Sequence, residues 1–197
     1  SAATFVTCSN TSTVNFFTFM IQAVYVLYAS RTLGLSAGVI GLSLGVGAAG
    51  ALLGALVAPG IGRRIGLGPT VVLGCLLFSA PLALLPFATG STFAKAALLC
   101  FVELVSGFGV MLLDISAGAI FAAVIPIRLR SRVSGAYTFM NYGVRVLGSL
   151  LGGLLGSTIG VRPTLAIGAA GALLGALVLL PTPVVRLFTF LLDKSAL

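Results

Sequence analysis

The chain has 197 residues, 59% of them hydrophobic and only 7% charged, with a mean hydropathy of +1.22. Soluble domains carry about 25% charged residues, so this composition excludes a water-soluble globular protein and points to an integral membrane protein. The formal charge of +8 does not indicate nucleic-acid binding, because the eleven basic residues are dispersed among short loops, where topology explains them.

A bilayer-crossing helix needs ~20 largely apolar residues. Six such stretches occur in chain order, at residues 14–29, 37–58, 69–88, 96–125, 135–159 and 163–180. Between them lie SRTLGLS, PGIGRRIGLGP, TGST, PIRLRSRVS and GVRP, and PTP follows the sixth; these segments combine turn residues with charge. The first stretch is the least regular, because Asn10, Asn15 and Gln22 border or interrupt it. Residues 1–183 are therefore expected to form one transmembrane domain and residues 184–197 a short cytoplasmic or interfacial tail. No basic region or secretory signal opens the chain, and its start without Met suggests a trimmed or longer protein.

Alternate loops differ in charge. One side carries Arg63, Arg64, Arg128, Arg130, Arg132, Arg186 and Lys194; the other carries Arg31, Lys95 and Arg162. The richer side is expected to be cytoplasmic, together with both termini.

Two of the three acidic residues, Glu103 and Asp114, lie deep in the fourth stretch. A charge at membrane depth costs about 2.5–3.5 kcal/mol on insertion scales, so it faces a cavity or a partner. Eleven residues separate the two, about three helical turns, which places them on nearly one face. Each can take up a proton or a cation. Arg145 is the basic residue inside a span. By helical rise both it and Asp114 lie about 20 Å from the cytoplasmic loop, so an Asp114–Arg145 pair is expected. If the pair were in contact and desolvated, removing one member would cost about 3–5 kcal/mol. Such a pair could also do no more than neutralise itself within the bundle.

Asn141 and Tyr142 precede Arg145 by four and three residues and share its helix face. Gln22, Tyr25 and Tyr28 form a similar stripe on the first stretch, so Asn141, Tyr142, Gln22 and Tyr25 are candidate cavity-lining residues. For the tyrosines an interface belt is an equal reading. Phe16, Phe17 and Phe19 read as packed or lipid-facing.

Glycine recurs every fourth residue at Gly148, Gly152, Gly156 and Gly160, and again at Gly41/Gly45, Gly50/Gly54 and Gly171/Gly175. Small residues at this spacing let helix backbones approach closely in lipid. Such smooth faces could also slide during a conformational cycle.

Residues 50–74, GALLGALVAPGIGRRIGLGPTVVLG, resemble the signature between the second and third helices of a major facilitator superfamily half. Gly54 matches its helix-face glycine, Gly62 its loop glycine, and Arg63 and Arg64 its basic pair. The loop acid of that signature is absent, with Ala58–Pro59 in its place, as in C-terminal halves. Residues 125–156 resemble the end of the tenth helix, the basic loop and the glycine-rich eleventh helix, and look most like the bacterial drug- and siderophore-exporter branch. Val146 stands where relatives have proline after the arginine.

The resemblance implies an all-α integral membrane bundle of six transmembrane helices, half of a twelve-helix facilitator, in a bacterial inner membrane. It implies a secondary transporter half that exports small amphipathic compounds by proton antiport. Its partners would be membrane lipid, a small-molecule substrate and a second six-helix half, supplied by a missing N-terminal half or by a homodimer. The alternative is a non-transporting scaffold or assembly subunit that keeps the half-fold. An enzyme is not expected. The chain has no histidine for a Ser/His/Asp set and no phosphate-binding GxxxxGK[ST] loop. No cofactor or metal is expected either, since Cys8, Cys75 and Cys100 have no metal-ligand spacing.

Overall fold

The computed structural model describes residues 2–124 and 127–179, with side chains for 12–123, 131, 134–135 and 138–177. The side chains of Cys8, Arg128, Arg130 and Arg132, and all of the 184–197 tail with Arg186 and Lys194, lie outside the described residues.

Among the described residues the chain forms six α-helices: α1 (Ala2–Leu27), α2 (Ala37–Ile65), α3 (Leu67–Ser79), α4 (Thr92–Val124), α5 (Ile127–Thr158) and α6 (Val161–Leu179). A π turn (Tyr28–Thr32) extends α1, and a 3-10 segment (Pro81–Phe87) follows α3. Four segments are long and apolar enough to cross a membrane: Ser12–Thr32, Ala37–Ile65, Leu67–Phe87 and Thr92–Ala123. α6 is apolar but shorter. α5 has the length, at 32 residues, but begins with IRLRSRVS and carries Asn141 and Arg145.

Two expected loops are helical. α2 runs through Pro59 to Ile65, so Gly62, Arg63 and Arg64 form its last turn rather than a loop. Proline removes one backbone donor, and membrane helices tolerate that where neighbouring groups satisfy the freed carbonyls. The carbonyl that loses its donor is that of Ala55, one turn back; separately, Arg63 Nε donates to the Pro59 carbonyl at 3.2 Å, and two arginines at the C-terminal end complement the helix dipole. α5 likewise starts at Ile127, eight residues before the expected Gly135. The third stretch, in turn, is not one α-helix. Pro81 and Pro86 turn its second half into the 3-10 segment, and the Tyr28 hydroxyl donates to the Leu85 carbonyl there at 2.7 Å.

The helices exchange partners between two triplets. α1 packs on α5 and α6, α4 packs on α2 and α3, and the third helices α3 and α6 touch. A turn with the shared pattern G-x-x-P-T leads into the third helix of each triplet. GLGPT begins at Gly66 (φ 91°) and GVRPT at Gly160 (φ 94°), positive angles that favour glycine. Thr70 and Thr164 close these turns by donating to the Gly66 and Gly160 carbonyls at 2.7 Å and 2.8 Å. Gly160 is thus a turn residue, not the fourth member of a packing stripe.

The remaining glycines separate into contact and open sets. A Cβ on Gly50 or Gly54 would strike the α4 backbone at Leu104 or Phe108, and one on Gly107 would strike Gly47. Gly148 and Gly152 meet the α1 backbone at Phe16 and Met20, and Gly171 and Gly175 meet Phe17 and Val14. At Gly50, Gly54, Gly107, Gly148 and Gly152 the backbones touch because no side chain separates them, whereas Gly171 and Gly175 make room for the Phe17 and Val14 side chains. A Cβ on Gly41 or Gly45 would meet nothing within 4 Å, so that pair makes no contact among the described residues. The buried core, including Tyr25, Tyr28, Leu85, Leu99, Val102 and Leu165, joins the two triplets.

Candidate functional site

α4 carries Glu103 and Asp114 into different surroundings. Glu103 sits where α2 and α4 cross most closely, and a Cβ on Gly47 would lie 3.1 Å from its Oε2. Its carboxyl is within hydrogen-bonding reach of the Tyr25 hydroxyl on α1. Tyr25 is buried and shares a 3.1 Å hydrogen bond with Ser43 on α2, and Ser43 donates to the Ile40 carbonyl at 2.8 Å. Three helices therefore meet in one polar cluster around Glu103.

Asp114 opens on a cavity of about 360 Å³ between α4 and α5. These two consecutive helices do not pack tightly among the described residues, and the cavity occupies the space between them. Its polar lining is Asp114 from α4 with Ser134, Thr138, Asn141, Tyr142 and Arg145 from α5. The four residues Thr138, Asn141, Tyr142 and Arg145 follow helical spacing, which puts them on one face of α5. Asn141 is buried and accepts a 3.5 Å hydrogen bond from Asn15 Nδ2 on α1.

Arg145 does not form the expected contact pair. It interacts with Asp114 across the cavity, but among the described residues no ion pair joins them within 4.0 Å. Instead the guanidinium carbon lies 4.8 Å from the Phe19 ring centroid and 5.0 Å from that of Tyr142. Such cation–π contacts are worth about 2 kcal/mol or more each when desolvated. Arg145 Nε is buried and has no hydrogen-bond partner among the described residues. The reason is spacing: equal depth on consecutive helices brings two charges to one level, but here α4 and α5 stand apart.

Of the other candidates, Asn141 and Tyr142 line the Asp114 cavity, whereas Tyr25 belongs to the Glu103 cluster and Gln22 is exposed on α1. Gly54 lies against α4 at Phe108 and Met111. Gly62 lets Leu67 fold back over the end of α2, since a Cβ there would lie 3.1 Å from Leu67 Cδ2. Arg63 and Arg64 are exposed. Sequence reasoning missed Phe19 as the ring under Arg145, Asn15 as the partner of Asn141, and Ser134 and Thr138 as lining residues. Asn15 and Phe19 are four residues apart on α1, and that spacing was the available signal.

No match appears among curated proteins. The sequence profile of the Major Facilitator Superfamily matches residues 8–189, nearly the whole chain. Its members are transporters, and a bundle of apolar helices with polar groups at depth agrees with that. The chain is an integral membrane protein that belongs to the Major Facilitator Superfamily.

Proposed function

We propose that the chain is one half of a secondary active transporter and moves small amphipathic compounds out of the cell in exchange for protons. All six helices cross the membrane, both termini are cytoplasmic, and a second six-helix half completes the substrate path. The observation that carries this reading is Asp114. It is an acid within a membrane helix that faces an open cavity across from Arg145, rather than being closed in a contact pair. Intramembrane ionisable groups that face cavities mark ion and substrate pathways. In this superfamily the two halves are parallel repeats with the substrate between them near the midplane.

Asp114 is the coupling carboxylate. Arg145 holds the opposite charge across the cavity, and Asn141 and Tyr142 supply hydrogen-bonding groups beside it. Glu103, within reach of Tyr25, is the secondary acid. A scaffold would gain nothing from keeping Asp114 open, so the open cavity favours transport over that alternative.

The test is proton flux in proteoliposomes that contain the chain as a homodimer or with its second half. Addition of an amphipathic substrate should release protons from an acid-loaded lumen, and Asp114→Asn should abolish that release while the protein remains folded. Unchanged flux in Asp114→Asn would overturn the assignment. Orientation is checked separately by labelling single cysteines at positions 34 and 66, which should react from opposite sides of the membrane.

A further inference from the structure

Arg145 borders a second cavity as well as the one it shares with Asp114. On its other side lies a space of about 420 Å³ lined by Phe19, Tyr142, Arg145, Val146, Ser149 and Leu150. Among the described residues no acid is in this lining, and Arg145 is its one charged member. Tyr142, Arg145, Val146, Ser149 and Leu150 follow the i, i+3, i+4, i+7, i+8 spacing of one helix face. The wall is therefore apolar along Val146 and Leu150, aromatic at Phe19, and cationic at one point.

The cation is incompletely satisfied. A guanidinium has five N–H donors, yet Nε has no partner among the described residues and no carboxylate pairs with it within 4.0 Å. The aromatic slot holds the group in place but accepts none of its hydrogen bonds in the ring plane. A cation at this depth with no carboxylate in contact is costly, Asp114 acting on it only across the other cavity, and a planar anion answers both its charge and its donor geometry.

We propose that this second cavity binds small amphipathic organic acids, with the carboxylate on Arg145 and the apolar chain along Val146 and Leu150. This rests on the transporter reading above and narrows its substrate class from amphipathic compounds to amphipathic anions. A lipid could offer the same anionic chemistry, but depth argues against its headgroup. Arg145 lies thirteen residues past Arg132 along α5, about 20 Å by helical rise. The hydrocarbon core is only ~30 Å thick, so Arg145 is well within it, whereas lipid phosphates stay at its surface.

The experiment uses the whole chain in nanodiscs and three radiolabelled probes of one length: octanoate, octylammonium and octanol. In phosphatidylcholine discs octanoate should bind about tenfold more tightly than either other probe, the increment of one charge-assisted hydrogen bond. Arg145→Gln should reduce octanoate to the octanol level. Leu150→Phe, which narrows the cavity at an exposed position and keeps the charge, should also weaken octanoate about tenfold; it serves where Arg145→Gln does not fold. Discs containing phosphatidylglycerol should leave octanoate binding unchanged. The proposal is overturned if octylammonium binds as tightly as octanoate, if octanoate is indifferent to both substitutions, or if phosphatidylglycerol displaces it. Binding at equilibrium does not require transport, so the two readings fail separately. Anion binding without proton flux would sink the transporter reading alone, and flux with cation-selective binding would sink this one alone.

Discussion

Glu103 and Asp114 stand on one helix, eleven residues apart, and the difference between them lies in the helix that each one meets. At Glu103, α2 presents Gly47 and Gly50, so the two backbones close together and leave the acid beside Tyr25. At Asp114 the facing helix is α5, which stands off and leaves a cavity of about 360 Å³. Glycines thus decide which carboxylate is shut in. Where small residues align on both helices, as at Gly47 and Gly107, the interface seals; where the facing residues are Thr138, Asn141 and Arg145, it stays open.

The strongest way to break this contrast is to disturb the sealed end. Gly107→Leu would drive a side chain into the Gly47 carbonyl and should cost about 3 kcal/mol or abolish folding. Gly118→Leu, on the same helix beside the open cavity with nothing near its position, should leave thermal stability in detergent nearly unchanged. Equal losses in both variants would mean that the α2–α4 contact is not what closes the Glu103 end.

A smaller structural effect, with a large functional one, is expected at the open end. Asp114→Asn should eliminate proton-coupled flux yet change stability by less than about 1 kcal/mol, because a separated pair contributes little. A double-mutant cycle with Arg145→Gln sharpens the point. A contact pair in a dry interior would give coupling of about 3–5 kcal/mol, whereas the geometry here calls for less than about 1 kcal/mol. Strong coupling in thermal unfolding would show that the pair closes in the membrane.

Tyr25→Phe removes a hydroxyl bonded to Ser43 at 3.1 Å and should cost about 1 kcal/mol while leaving ligand binding beside Arg145 unaltered. A change in octanoate affinity in that variant would couple the two ends of α4. The weakest effect belongs to Asn15→Ala. It loses a 3.5 Å hydrogen bond to Asn141, worth about 0.5 kcal/mol, and slows substrate movement only if that bond positions Asn141.

Much of this arrangement is legible in the sequence. Apolar runs, turn glycines and the basic residues between them defined the helices, because burial of backbone groups in lipid leaves a chain of this composition few choices but helix. Their ends were less legible. Pro59 reads as a break, yet the helix continues to Ile65, since a proline within a membrane helix costs one hydrogen bond and need not end it. The matching GLGPT and GVRPT turns were present in the letters and mark the two triplets. Ninety-four residues separate them, and only their shared geometry makes them a pair.

The sequence by itself determined that the protein is a membrane helix bundle of the facilitator kind, which residues are polar at depth, and which of them share a helix face. Those properties follow from composition and from the period of a single helix, and they need no partner. Only the tertiary structure decided that α4 seals against α2 and parts from α5, that Arg145 stacks on Phe19 and Tyr142 instead of gripping Asp114, and that Gln22 is exposed on α1 and does not line the Asp114 cavity. The physical reason is that helical rise and rotation set the depth and direction of a side chain, while the distance to whatever stands opposite depends on how closely the two backbones approach. That distance is set jointly by the residues of two helices far apart in the chain.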